Sequence, residues 1–434
     1  MPTLRFLAPS VIISMANSNS GTDVQSEFKV VSILDTDLYK FTMQQAIFEY
    51  HPTAQAVYRF THRDKHRQFS RACIEKFQES LNSFAEVQLT HDERAWLQDT
   101  CKYFKPAYLD YLQSYRFKPE QISVNFVPSS DDPDLGSVKI EARGTWLETV
   151  LWEVPLMSCL CEMYFRYAEQ DWDYTGQEEQ ATHKATCLLE ARCTFSEFGT
   201  RRRRSFATQD LVVKGIVNAR DAHKWKDGFF GTSNVYFAMR YNLNVIGTIA
   251  HEWFMGIAAL CDYKDAAGTA LDLWSKLYGE NLSVTLTDTF STEVFYREFD
   301  NRRANQWKAL RQDSGDPKVF APRAKQMYEE LGIDYTQKAI IFSDGLDFRK
   351  AKELNEQCQL LGFKCSFGIG TWLTNDFKKK SSGYTEQSKA LNIVIKLGSI
   401  DGKECVKISD EITKNTGVPE VVAKVKETYQ IPLS

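Results

Sequence analysis

The sequence predicts an α/β protein: an irregular (β/α) barrel with a smaller α+β, sandwich-like domain beside it. Three patterns carry this. Between residues 169 and 384, short apolar runs end in polar or glycine-bearing turns and are followed by helical patterns, about seven times over, the alternation of a parallel barrel. Earlier, SVNFVPSS and SVKIEARGTW flank the turn-rich DDPDLG and read as two antiparallel strands. After Gly383, LNIVIKLGS and ECVKIS flank IDG like a β-hairpin, which cannot extend a parallel barrel. Residues 385–434 are therefore expected to complete a domain begun by residues 27–168, with 169–384 as the barrel.

At 434 residues, with 43% hydrophobic and 25% charged side chains, the chain is long enough for two cores. A net charge of −4 offers no global field for nucleic acid, so any basic site is local. Ten scattered cysteines, without a CxxC pair or zinc-ligand spacing, fit reduced thiols in the cytosol or nucleus. No run of some 18 apolar residues calls for a membrane span. Residues 1–26 are expected to be a disordered tail, and residues 1–14 read as a faint signal-like stretch or an over-extended start before Met15.

In chain order, FKVVSILDTDLYKFTMQQAIFEY is a strand-like run, a polar turn and a helix from about Tyr39, with Asp35 or Asp37 available to cap it. Tyr39 is expected to present an open ring face. AVYRFTHR alternates like a half-buried strand, and residues 71–115 are mostly helical, with Pro106 as a break. LETVLWEVPLMSCLCEMYFRYAE is a long apolar helix between the domains. The barrel units then open with CTFSEFGT, GFFGTSN, NVIGTIAH, SVTLTDTF, WKALRQDSGDP, KAIIFSDG and KCSFGIGT.

Barrel geometry brings strand ends to one mouth, which gathers Phe198, Arg201, Ser233, Thr248, His251, Asp288, Arg311, Asp313, Asp344, Gly368, Gly370 and Thr371. His251 stands where the NVIGTIA strand is expected to stop and a helix to begin. Gly368, Gly370 and Thr371 precede a helical turn and can offer backbone N–H groups and a hydroxyl to phosphate, although glycines also simply make tight turns. Asp288, Asp313 and Asp344 suit Mg²⁺ or sugar hydroxyls; each alone would equally suit a helix cap. Of Arg201–Arg204, at least two are expected on a solvated helix face, with Arg201 turned inward. Arg311 can take a carboxylate or phosphate bidentately. Together these groups describe transfer chemistry on a phosphorylated sugar bearing an aromatic base.

At the same residues the chain resembles the nicotinate phosphoribosyltransferases, type II phosphoribosyltransferases of NAD salvage, and their fungal branch in particular. LDTDLYKFTM, FSEFGTRRRRS, GTSN, GTIAHEW, RQDSGDP, FSDGLD and FGIGTWLTNDFKKKS carry the likeness, spread over residues 34–381. The resemblance implies that nicotinate and 5-phosphoribosyl 1-pyrophosphate give nicotinate mononucleotide and pyrophosphate, with Mg²⁺ and coupled ATP hydrolysis, a ligase-type reaction. It implies that His251 is phosphorylated, with Asp288 and Asp313 as the other catalytic residues. Tyr39 and Phe198 would sandwich the pyridine, and Arg311, Thr248 and Arg201 would hold its carboxylate. Ser314 and Asp344 would bind substrate, Asp313 or Asp344 would carry Mg²⁺, and Gly368 to Thr371 would bind phosphate. Relatives often complete the site with the Tyr39-type residue of a neighbouring subunit, so a homodimer and a self-contained chain are both compatible with the sequence. Nicotinamide phosphoribosyltransferases carry an aspartate where this chain has Ser233, so the serine favours the acid. The alternatives are that amide-using enzyme, a non-catalytic nucleotide-binding barrel, or another phosphosugar-using barrel that works without ATP.

Overall fold

The computed structural model describes residues 28, 30–64, 66–411 and 415–432, so the expectations for residues 1–26 lie outside the described residues. The chain opens with a helix at Leu38–Tyr50 and four strands, β1 (Gln55–His62), β2 (Phe69–Ser70), β3 (Ile122–Pro128) and β4 (Leu135–Thr145). Six shorter strands follow, each ahead of helical structure: β5 (Phe195–Glu197), β6 (Phe229–Thr232), β7 (Val284–Leu286), β8 (Ala309–Gln312), β9 (Ala339–Phe342) and β10 (Lys364–Ile369). A small ribbon, β11 (Phe377–Lys378) with β12 (Gln387–Ser388), precedes the final hairpin of β13 (Ile393–Ile400) and β14 (Lys403–Glu404).

Two sheets result. The first runs β14-β13-β1-β4-β2, with β3 on β4, and all its pairings are antiparallel. The hairpin thus returns to the N-terminal strands through β13 on β1, as an antiparallel element that cannot extend a parallel sheet was expected to. The second is wholly parallel, in the order β6-β5-β10-β9-β8-β7. Its strands are three to six residues long and largely buried, which is why they read as apolar runs.

Among the described residues the parallel sheet has six strands rather than about seven, and NVIGTIA is the unit that fails. Residues 244–250 cross from β6 toward β7 with a single bridge, Val245 to Thr232, and the Thr248 hydroxyl donates to the Val284 carbonyl at 3.1 Å. The cause is the first helix. Gly247 has φ +156° and packs so closely that a β-carbon would lie 3.1 Å from the Tyr39 nitrogen, while the Thr42 hydroxyl takes the Thr248 carbonyl at 2.6 Å. The Thr248 carbonyl, which a neighbouring strand would pair, is satisfied by a side chain of a helix from the other domain.

One further expectation is refined and another changes. The break in the helical stretch falls just before Pro106, which opens the helix Pro106–Ser114, where its missing N–H costs nothing. The long interdomain helix is a short Trp146–Thr149 turn and then Glu153–Tyr167, joined through residues 150–152. Trp146 stacks on Trp253 at 5.9 Å and lies against Gly256, where a β-carbon would meet its ring at 2.4 Å. That contact fixes the helix His251–Cys261, and hence His251, against the smaller domain.

Candidate active site

The C-terminal ends of β5, β8, β9 and β10 open on one cavity of about 450 Å³, lined by both domains. β5 and β10 run side by side, and the Phe198 N–H donates to the Ile369 carbonyl at 2.8 Å. The Phe198 ring therefore lies over Gly368, where a β-carbon would come within 3.3 Å of it. Gly370 and Thr371 complete the same wall. On the adjoining pair, Arg311 donates from Nε to the Ser343 hydroxyl at 2.8 Å and from Nη2 to Asp313 Oδ1 at 3.1 Å. Its Nε edge is thus engaged within the wall. Asp344 lines the cavity one residue further on.

Tyr39 reaches this cavity in its own chain, although at 9% exposure its ring is mostly covered rather than open. The acidic pair before it does not cap the helix. Asp37 stands at the cap position without a capping bond and accepts from the Ser233 hydroxyl at 2.8 Å, while Asp35 takes both Nη groups of Arg203 at 2.7 and 2.6 Å. Burial pushes the Asp37 carboxyl above its ordinary value.

His251 begins its helix and touches four groups. Nδ1 lies 3.0 Å from the Thr289 hydroxyl; Nε2 lies 3.1 Å from Asp313 Oδ2, 3.1 Å from Lys407 Nζ and 3.6 Å from Asp288 Oδ1. Burial and then the Lys407 ammonium hold the imidazole below its ordinary value, so it is neutral at pH 7. Burial opposes ionisation of Asp313, but Arg311 and His251 prevail and keep it well below the carboxylate range.

Several predicted ligands act from behind the wall. Ser233 is fully buried and meets the cavity only through Asp37. The Thr248 hydroxyl is spent on Val284. Ser314 donates to Asp288 Oδ2 at 2.6 Å, and Asp288, 1% exposed, is also paired with Lys407 at 3.1 Å. The solvated face expected for part of Arg201–Arg204 is absent. Arg201 lies on the cavity and pairs with Glu153 at 3.1 Å, Arg202 donates to the Ile393 carbonyl, and Arg203 and Arg204 are buried. Arg204 packs over Phe165 and Phe377 and donates to Asn375 and Ser388. A 3-10 turn at Thr200–Arg202, not a helix, spreads the four side chains.

The structure adds groups that local patterns did not single out. Lys40, fully buried, lies between Glu153 at 2.5 Å and Glu252 at 2.6 Å, and both carboxylates border the cavity. Arg63, Arg202, Lys396 and Lys407 bring positive charge to the same space. A lone charge within an apolar run, as in LYKFTM, LWEVPL and CVKIS, is the one local signal that could have found Lys40, Glu153 and Lys407.

Carboxylate oxygens are the donors Mg²⁺ prefers. His251, Asp288 and Asp313 offer ligand atoms within 4.8 Å of one another, and Asp288 Oδ1 is buried without a hydrogen-bond donor. The Lys407 ammonium already fills that cluster, however, so it fits a divalent ion poorly. Asp313 also lies on the cavity wall, where Asp344 stands as well.

A sequence model described as the nicotinate phosphoribosyltransferase (NAPRTase) family matches residues 193–433, and one for its N-terminal domain matches residues 34–161. A Methanosarcina mazei nicotinate phosphoribosyltransferase is 40% identical, over 89% of this chain and 95% of its own. The Saccharomyces cerevisiae enzyme is 39% identical, over 93% and 95%. A Saccharomyces cerevisiae crystal structure ascribed to the same activity superposes with a TM-score of 0.91 at 38% identity, covering 94% of this chain and all of the other.

Proposed function

The chain belongs to the nicotinate phosphoribosyltransferase family, and from that premise we propose that it joins nicotinate to the phosphoribosyl group of 5-phosphoribosyl 1-pyrophosphate, releasing pyrophosphate, in NAD biosynthesis. The observation that carries the reading is convergence: an aromatic pair, Tyr39 and Phe198, a glycine turn, a histidine and a ring of cations share one cavity.

The residues divide the work. Tyr39 and Phe198 offer ring faces to a pyridine, and Arg201 and Arg311 offer cations to its carboxylate. The Gly368–Thr371 turn offers N–H groups to the 5′-phosphate. Asp313 and Asp344 can accept from ribose hydroxyls and would hold Mg²⁺ with the pyrophosphate, whose charge that ion would neutralise when bound. As the glycosidic bond breaks, positive charge grows at the anomeric carbon and negative charge on the leaving group, which Arg63, Arg202 and Lys396 can meet. The pyridine nitrogen attacks the sugar; no protein nucleophile is required.

ATP coupling belongs to the same proposal. His251 is a neutral imidazole with Nε2 toward the cavity, suited to accept the γ-phosphoryl of ATP and store its free energy as a phosphoramidate. A scaffold that only binds nucleotides has no use for such a group. The test is product formation from nicotinate and from nicotinamide, with and without ATP, in wild type and His251→Ala. Preference for nicotinate, stimulation by ATP and loss of that stimulation in the variant are expected. Preference for the amide would reject the substrate assignment, and an ATP effect that survives His251→Ala would reject the phosphohistidine.

A further inference from the structure

Lys407 is a charged side chain from the C-terminal segment of the smaller domain, 6% exposed, set against a barrel histidine 156 positions earlier. Its placement is over-determined. Lys407 exchanges backbone hydrogen bonds with Thr416 at 3.0 and 2.9 Å. The next residue, Ile408, donates to the Thr289 carbonyl at 2.8 Å and accepts from the Ser291 N–H at 2.7 Å. The two groups that grip the imidazole, Lys407 at Nε2 and the Thr289 hydroxyl at Nδ1, therefore sit on neighbouring backbone segments tied to each other.

A neutral imidazole carries one proton, and its two edges compete for it. Asp313 at 3.1 Å would draw it to Nε2, whereas an ammonium has no acceptor and can only meet an Nε2 lone pair. We propose that Lys407 selects the Nδ1–H form of His251, with Thr289 accepting that proton, so that the Nε2 lone pair faces the cavity ready for phosphoryl transfer. This rests on the phosphohistidine reading above. In the step, Nε2 bonds to the γ-phosphorus of ATP, the bond from that phosphorus to the β–γ bridging oxygen breaks, and ADP leaves with the electron pair. The Nδ1 proton stays in place, so none has to be removed. The ammonium, released from the lone pair, then faces the new phosphoryl oxygens. Lys407 is thus both a positioning residue for the histidine and a partner for the transferred charge; as a mere counter-ion to Asp288 it would need no contact with the ring.

The experiment uses the full chain with ¹⁵N-labelled histidine, assigning the His251 resonances by comparison with His251→Gln. Wild type should show the Nδ1–H tautomer, and folded Lys407→Met should lose it. Single-turnover labelling by γ-³²P ATP should slow at least about tenfold in Lys407→Met, since holding an imidazole in its working tautomer is worth up to about 10⁴ in rate. Lys407→Arg should recover part of that rate. An Nε2–H tautomer in wild type overturns the proposal whether or not any variant folds, and so does a labelling rate in folded Lys407→Met within twofold of wild type. Absence of label in wild type would instead remove the phosphohistidine itself, and the role of Lys407 with it.

Discussion

Replacing Lys40 with Met tests whether the floor of the cavity is held by charge. The Lys40 ammonium is wholly buried, 2.5 Å from Glu153 and 2.6 Å from Glu252, whose side chains are each 9% exposed. Methionine keeps most of the volume, so the loss is mainly electrostatic: two carboxylates stranded away from water. Removing one partner of a buried ion pair costs about 3–5 kcal/mol. Glu153 would still have Arg201, and Glu252 would still have the Tyr58 hydroxyl and the Trp146 indole N–H, which argues for about 3 kcal/mol. In urea unfolding this appears as an earlier midpoint at unchanged slope. Adding Glu252→Gln should return at least about 1 kcal/mol, because the amide needs no counter-ion and can still accept from both neighbours. The pH dependence carries a sign. In the parent, burial opposes ionisation of Glu153, but Lys40 and then Arg201 hold its carboxyl below the ordinary value. Its contribution to stability is therefore present above the unfolded pKa of about 4.3 and is lost as pH falls through the lower folded value. Without Lys40 the buried carboxyl moves upward, so the folded variant binds protons that the unfolded chain has released, and its stability falls as pH rises past about 4.3. The gap between parent and variant should widen from pH 5 to pH 7.5. A loss below about 1 kcal/mol, or an equal loss at both pH values, would refute the charge account and leave packing as the explanation.

Two further outcomes follow from the cavity walls. Gly199→Ala places a β-carbon 2.1 Å from the Thr374 hydroxyl oxygen and should cost about 1–3 kcal/mol while displacing the Phe198–Arg201 turn, seen as a raised KM for the pyridine. Thr374→Ala should partly rescue it; an unchanged KM would show that the turn absorbs the methyl. At Lys396, burial and then Lys407 and Arg63 push the ammonium down to about 7, so at pH 8 it is largely neutral until an anion arrives. Pyrophosphate binding at that pH should take up about 1 proton, read by calorimetry in buffers of different ionisation enthalpy. Zero uptake in wild type, or the same uptake in Lys396→Met, would contradict the assignment.

Much of the fold is written locally. Each of β5 to β10 is an apolar run with a polar or glycine-bearing end and a helix behind it, and the final hairpin is visible as two apolar runs around a turn, although of ECVKIS only Glu404 stays in its second strand. The period and the turn chemistry of a segment belong to that segment, so sequence alone determined these elements, the glycine turn after β10 and the start of the His251 helix. Tertiary structure decided what depends on distant partners. NVIGTIA has a strand's composition, but the first helix packs on Gly247 and takes the Thr248 carbonyl. Asp35 and Asp37 have the chemistry of caps, but Arg203 and Ser233 claim them. Arg203 and Arg204 look like surface charges until Asp35, Asn375 and Ser388 close around them. Ser314 and Ser233 follow strand ends and Thr248 lies in the segment that forms no strand, yet the hydroxyls of all three turn into the wall, a choice made by acceptors elsewhere in the chain. For Lys40 and Lys407 the sequence shows only a charge within an apolar run, because the effect of a buried ammonium depends on which carboxylate or imidazole lies about 3 Å away. Local composition determines whether a residue can form an element; only the assembled chain determines what solvates its charge.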